Sequence, residues 1–249
     1  MAPVKGMRVL ARDSIEIGPH GVRQNRRFFV VDESGAMVNG KRLGLLQAVV
    51  PDYSDAGRTL ALRFPDGTVA GGPVAGGNPL AAGFFSATLA AVELDGPWSA
   101  ALTAYLGTPV RLVEATGPLG AVDRGEDGAL SLISSASVAA LAGAAGVAGV
   151  DPRRLRMLIE IDGIGAHEED RWVGRTVQIG SARIALRGHV GRCMVTKLDP
   201  DSGVRDLETL DALASYRSRA GTTEPLACGV VGRVLAPGTV RVGDPVRLG

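Results

Sequence analysis

Short apolar runs that stop at tight turns constrain this chain more than any other feature. Arg27-Phe28-Phe29-Val30-Val31 ends at Asp32-Glu33-Ser34-Gly35, and Ala36-Met37-Val38 then resumes the apolar pattern. A β-branched and aromatic run, a glycine-closed turn and a second run read as a strand and its return. Leu45 to Val50 and Thr59 to Phe64 are further strand candidates, the second stopped by Pro65-Asp66-Gly67. Pro109 to Glu114 reads the same way, and Thr176 to Ile179 and Arg183 to Leu186 flank Gly180-Ser181 as a hairpin. The C-terminus breaks into Val230 to Leu235, Thr239 to Val242 and Pro245 to Leu248 at Pro237-Gly238 and Gly243-Asp244. The stretch from Ala70 to Ala82 is rich in Gly and Pro and is predicted to be an exposed loop.

Helical signals are few. Trp98, Leu102, Tyr105 and Leu106 share one face of a predicted helix that Gly107 can end. Leu130 to Ile133 reads as a strand leading into Ser134-Ser135-Ala136-Ser137 and an Ala/Leu helix. Asp151-Pro152 pairs a capping carboxylate with proline in the first turn. Asp206 is placed to cap a helix carrying Leu207, Leu210, Leu213 and Tyr216. Together these predict an α+β, mostly β fold of barrel-like architecture with a few peripheral helices. The polar, Gly-rich segment from Gly117 to Gly128 is the expected boundary, giving domains 1–116 and 117–249.

The totals narrow the function. At 249 residues the chain can bury a sizeable core, and 45% hydrophobic with 21% charged residues is a globular balance. A net charge of +1 without a Lys/Arg run argues against nucleic acid as a partner, so any anion site must be built locally. No run is apolar and long enough for a signal peptide or a membrane span. Two cysteines make no disulfide framework, and a cytoplasmic setting with no membrane partner is expected.

Cys193 is the residue of greatest chemical interest. It follows Arg192, Thr196 lies three positions on, and Asp199-Pro200-Asp201-Ser202-Gly203 closes the segment. A guanidinium beside a thiol favours the thiolate, the form that a soft metal or a nucleophilic reaction requires. Taken alone, such a cysteine more often packs as a small hydrophobe. Ser134 to Ser137 sit where a strand enters a helix, which suits a phosphate, although a capping serine explains them as simply. Arg153, Arg154 and Arg156 offer guanidinium forks or a solvated face. Lys5, Arg8, Arg26 and Arg27 add cations beside the early strands. His189 reads as a loop residue, Glu168-Glu169-Asp170 as a solvated acidic turn, and Cys228 as structural. No CxxC, HExxH, P-loop, GxSxG or dinucleotide fingerprint is present.

In order and spacing these elements resemble the MOSC family, the molybdenum cofactor sulfurase C-terminal domain, with its N-terminal β-barrel partner. Val4-Lys5-Gly6 is similar to the family's opening element, and Arg26-Arg27-Phe28 with Val31 to Gly35 is similar to its Asp-Arg-Arg-Trp and Val-Asp-Glu-Asp-Gly signature. Ile133 to Val138, Val150 to Arg156 and Glu169-Asp170-Arg171-Trp172 resemble further family segments. Arg192-Cys193 through Gly203 resembles the most specific one, Arg-Cys-x-x-Thr-x-x-Asp-Pro-Asp-Thr-Gly, and Pro237 to Asp244 matches the closing element. The chain departs from the family at Met157-Leu158, which replace Pro-Asn, and at Gly6, which replaces a serine found in many relatives.

The resemblance implies an oxidoreductase that holds the molybdenum cofactor, a molybdopterin, with Cys193 as the metal ligand. Lys5, Arg26 or Arg27, Ser134, Ser135, Ser137 and Arg156 would bind the pterin and its phosphate, with Arg192 beside the ligand. Thr196 and Asp199 complete the expected catalytic set with Cys193. N-hydroxylated or similar N–O small molecules are the expected substrates, and a separate protein would donate the electrons. Two other readings stay open: a metal-free sulfur carrier or covalent-thiol enzyme using a Cys193 persulfide, and a non-catalytic module for another anion.

Overall fold

The computed structural model describes every residue from Met1 to Gly249. Seventeen short strands and three α-helices make up an α+β, mostly β protein. Packing divides the chain into two units, each built from separated stretches of sequence. Unit 1 comprises Met1–Leu10, Gln24–Ala121 and Pro200–Val204, and unit 2 comprises Ala11–Arg23, Val122–Asp199 and Arg205–Gly249. No helix is long and apolar enough to cross a membrane.

In unit 1 the strand Phe28–Asp32 pairs antiparallel with Met37–Val38 on one side and Val110–Ala115 on the other. The sheet continues through Ala87–Asp95 to Ala75–Phe84. Because successive side chains point to opposite faces, Phe28 and Val30 enter one core while Phe29 and Val31 enter another. The four-residue apolar run is therefore buried on both faces. Helix α1 (Trp98–Leu106) buries Trp98, Leu102 and Leu106, and Gly107, at φ 68°, ends it. The indole of Trp98 donates to the Leu60 carbonyl at 3.1 Å, so the largest core side chain also meets its polar need.

Two expectations fail in this unit. The stretch from Ala70 to Ala82 is not a loop, because Val69–Pro73 and Ala75–Phe84 are strands, each paired antiparallel with a neighbour. Ladder hydrogen bonds come from the backbone, and the glycines there still supply them. Leu45 to Val50 is not one strand: Gly44–Ala48 forms a 3-10 turn before the strand Val50–Ser54.

Unit 2 carries a six-stranded sheet whose central strands, Ala182–Gly191 and Ala227–Ala236, are its longest. Thr176–Ile179 and Ala182–Gly191 form the expected hairpin around Gly180. Leu130–Ser134 runs directly into α2 (Ser135–Ala144), which packs Val138 and Leu141 with Leu155, Leu213 and Cys228. Helix α3 (Thr209–Arg217) supplies Ala212 and Leu213 to that core. It begins three residues beyond Asp206, whose carboxylate is held by Arg154 instead of capping the helix. His189 is also not a loop residue. It lies buried within the strand Ala182–Gly191, and its Nδ1 accepts from the Thr223 backbone N–H at 3.0 Å.

Candidate functional site

Cys193 sits where the strand Ala182–Gly191 ends and the 3-10 turn Met194–Lys197 begins, in an extended conformation with φ −137° and ψ 177°. Its thiol is half-buried, free of any disulfide, and makes no hydrogen bond within the protein. Hydrogen bonds hold the backbone before it and its own carbonyl. Ahead of it, the Gly191 N–H donates to Glu224 Oε2 at 3.0 Å, and Glu224 is gripped by both arms of Arg124. A Cβ at Gly191 would meet that same Glu224 oxygen at 2.5 Å, so the position has no room for a side chain without movement of Glu224. Behind it, the Thr196 N–H and hydroxyl both reach the Cys193 carbonyl at 3.0 Å. Thr196 Oγ1 also lies 2.6 Å from Thr209 Oγ1, with both threonines buried.

Arg192 turns inward. Its Nη1 donates to the Leu155 carbonyl at 2.7 Å, and its Nη2 donates to Met157 Sδ at 3.1 Å and to the Cys228 carbonyl. Burial lowers its pKa, with Cys228 and Cys193 opposing that shift. Gly229 makes room for this arrangement. At φ 86° it would place a Cβ 2.9 Å from the Leu132 carbonyl and 3.3 Å from the Arg192 guanidinium. Arg192 thus joins the cysteine segment to two neighbouring backbones.

The serine cluster is only partly available. Ser134 caps α2 through its hydroxyl, which accepts from the Ser137 N–H at 3.0 Å. The Ser137 hydroxyl donates to Glu169 Oε1 at 2.7 Å and accepts from the His167 N–H at 2.7 Å. Ser134, Ser137 and Glu169 are all fully buried. Glu169 also accepts from the Ser134 N–H, so a carboxylate of the protein itself occupies the α2 N-terminus. The acidic turn is therefore not solvated: Glu169 is internal, and Asp170 pairs with Arg217 at 2.5 Å. Ser135 is half-buried, and its hydroxyl makes no hydrogen bond within the protein.

Among the arginines, Arg154 is buried and spends both arms on Asp206, at 2.7 and 2.6 Å, with Asp199 at 3.7 Å. Arg153 pairs with Asp151 at 2.6 Å. Arg156 ends the 3-10 turn Pro152–Leu155 in the left-handed region, at φ 53° and ψ 34°. Arg26 also lies there, at φ 52°. A left-handed backbone is costly for a long side chain, and such outliers concentrate where a side chain must be aimed. Arg27 is occupied otherwise: Glu114 holds its Nε at 2.6 Å, Asp55 its Nη1 at 3.3 Å, and the Tyr53 ring lies 5.5 Å away. Burial alone would lower the Arg27 pKa, but Glu114, Tyr53 and Asp55 outweigh it and raise it. Lys5 is buried beside the Phe84 and Phe85 rings, with its Nζ 5.2 and 5.4 Å from their centroids.

Within unit 2 the structure thus gathers Cys193, Arg192, Thr196 and Asp199 on one supported segment, and it turns Ser134 and Ser137 to internal work. Sequence reasoning missed three supports: Glu169, the Arg154–Asp206 clamp and the Arg124–Glu224 pair. A carboxylate in a run of three looks solvated until a fold surrounds it, and no local signal separates Glu169 from Glu168.

These features describe a mostly β protein with a half-buried free thiol, Cys193, between a strand end and a 3-10 turn. The sequence pattern of the MOSC domain matches residues 119–247, and that of the MOSC N-terminal beta barrel domain matches residues 1–104. The chain belongs to the MOSC domain family. It is 37% identical over 105 residues to mitochondrial amidoxime-reducing component 1 of Mus musculus, covering 40% of this chain and 30% of that protein. It is likewise 37% identical over 94 residues to mitochondrial amidoxime reducing component 2 of Homo sapiens, covering 35% and 28%. The match therefore spans under a third of the length of these curated relatives. Among solved structures, YiiM from Geobacillus stearothermophilus aligns at a TM-score of 0.37 and 17% identity, covering 50% of this chain and 56% of that one. The YUAD protein from Bacillus subtilis aligns at 0.34 and 17%, covering 48% and 63%.

Proposed function

We propose that the chain is a molybdenum-cofactor-dependent oxidoreductase that reduces N-hydroxylated or similar N–O small molecules with electrons from a separate carrier protein. Family membership and the amidoxime-reducing relatives support this reading, and one observation of this chain carries it. The Cys193 thiol makes no hydrogen bond within the protein, while its carbonyl is held by Thr196 and the Gly191 N–H by Glu224. No group of three or more His, Cys, Asp or Glu side chains is arranged to hold a metal ion. A single soft thiolate suits a metal that arrives with its remaining ligands already in an organic cofactor. When bound, that cofactor supplies the redox chemistry that amino-acid side chains lack.

The chain's own residues do the binding and orienting. Cys193 is the protein ligand to the metal, and Arg192 and Thr196 keep its backbone in place from either side. Arg156 and Ser135, in the same unit as Cys193, are assigned to the anionic part of the cofactor, while Ser134 and Ser137 support the fold of that unit. Conversion of N–OH to N–H consumes two electrons and two protons and releases water. Asp199, half-buried on the cysteine segment, is the group assigned to move a proton there.

The departure at Met157-Leu158 bears on a second reading. Met157 Sδ accepts from Arg192, and the Leu158 N–H donates to Ser131 Oγ at 3.1 Å, so this pair serves internal support where the family carries Pro-Asn. A Cys193 persulfide used for sulfur transfer needs no such cofactor contact. Elemental analysis separates the two. Protein from a host that makes the cofactor is expected to carry near-stoichiometric molybdenum, lost in Cys193→Ala. Absence of molybdenum under conditions that load a relative, with a persulfide mass on Cys193, would overturn the reductase and favour sulfur transfer.

A further inference from the structure

Two glycines bracket the buried His189 on the strand that leads to Cys193. The run Gly188-His189-Val190-Gly191 closes Ala182–Gly191, and its pairing with Ala227–Ala236 slips register on both sides of His189. Slips and glycines of this kind interrupt a ladder and let another backbone come close. The segment 222–226, in the same unit, takes that space. A Cβ at Gly188 would lie 3.3 Å from Thr223 Oγ1, and one at Gly191 would lie 3.1 Å from the Pro225 carbonyl oxygen.

His189 and Thr223 join the strand to that segment reciprocally. The His189 N–H donates to Thr223 Oγ1 at 2.9 Å, and the Thr223 N–H donates to His189 Nδ1 at 3.0 Å. An accepting Nδ1 leaves the ring proton on Nε2, which lies 3.9 Å from Asp170 Oδ1. Arg217 holds the other oxygen of that carboxylate. Further along, the same segment grips the two residues ahead of the thiol. Glu224 Oε2 accepts from the Gly191 N–H, and the Leu226 carbonyl accepts from the Arg192 N–H at 3.3 Å. Leu226 lies at φ 48°, a strained backbone for leucine that persists only where neighbouring contacts over-determine it.

We propose that His189 and Thr223 are positioning residues for Cys193, a latch that acts through Glu224 on the backbone two residues before the thiol. This rests on Cys193 being the reactive position, which the reductase and sulfur-transfer readings share. The pair anchors the start of the segment, Glu224 carries the constraint to Gly191, and Arg124 keeps the Glu224 carboxylate in place.

The test is the rate at which iodoacetamide alkylates Cys193 in the full-length, cofactor-free chain, read by peptide mass. Thr223 is exposed, so Thr223→Val leaves the core intact while removing the acceptor for the His189 N–H. One neutral hydrogen bond corresponds to roughly 2- to 12-fold in a local equilibrium. The rate is expected to rise by that factor in Thr223→Val, as the strand end loosens, and to return in Thr223→Ser. His189→Leu, which removes the acceptor for the Thr223 N–H, is expected to raise it as well. In Glu224→Ala the Gly191 N–H is already released, so adding Thr223→Val should have little further effect. An unchanged rate in Thr223→Val, no recovery in Thr223→Ser, or the full Thr223→Val effect on top of Glu224→Ala would overturn the latch. Absence of molybdenum from the parent protein would instead refute the reductase reading and leave the latch standing, because alkylation reads the thiol itself.

Discussion

Replacing Ser137 by alanine separates a structural serine from a ligand-binding one. The Ser137 hydroxyl stands at the centre of a fully buried network: it donates to Glu169 Oε1, accepts from the His167 N–H, and lies 2.7 Å from Ser134 Oγ. Alanine removes a hydrogen bond to a charged group, worth about 1.5–3 kcal/mol, and leaves the His167 N–H unpaired. Glu169 already has one buried oxygen, Oε2, without a hydrogen bond, so the variant leaves it only the Ser134 N–H at 3.3 Å. A total near 3 kcal/mol corresponds to a Tm decrease of roughly 6–12 °C for a chain of this size. The assay is calorimetric or circular-dichroism melting of cofactor-free protein, with Ser135→Ala as the comparison. Ser135 has no hydroxyl partner in the protein and should melt within about 2 °C of the parent. Its substitution should instead lower cofactor retention. If cofactor-free Ser137→Ala melts like the parent, the assignment of Ser137 to internal support is wrong.

Thr196→Val keeps the shape but removes the hydroxyl that joins the Cys193 carbonyl to Thr209. It should change the rate of Cys193 alkylation by iodoacetamide, and Thr196→Ser should restore that rate; equal rates in all three would show that the hydroxyl does not position the cysteine. Ellman titration of native protein should find one reactive thiol, Cys193, with Cys228 reporting only after unfolding. Burial raises the Cys228 thiol from 9.0 to about 11, so the native state keeps a proton that the unfolded chain has released. That contribution, roughly 2–3 kcal/mol, is complete below pH 9 and is lost as pH rises through 11. Melting between pH 8 and 11 should therefore fall less steeply in Cys228→Ala, and parallel curves would refute the linkage.

Much of the architecture was legible in the residues. The run Phe28 to Val31, with its closing turn, could only be a strand paired with its return, and Ser134 at the head of an Ala/Leu stretch marked a helix start. Gly180-Ser181 between two alternating runs marked a hairpin. Where reading failed, long-range pairing was the cause. Ala70 to Ala82 carries turn residues, yet its neighbours in the sheet complete its ladder. His189 has polar company in sequence, but Thr223, brought in from another segment, satisfies it inside a strand.

Sequence alone determined the ordered series of short motifs, and with it the MOSC family and the mostly β fold, and it singled out Cys193 as the candidate for chemistry. Those are local matters, set by turn chemistry, by two-residue periodicity and by which side chain can become a thiolate. Only the tertiary structure decided which polar residues are free to act. Ser134, Ser137, Arg27 and Arg154 look like ligand-binding groups in one dimension, and each is committed to a carboxylate or a helix cap once the chain closes. A buried polar group must find a partner, and which partner lies within hydrogen-bond reach is a property of the fold.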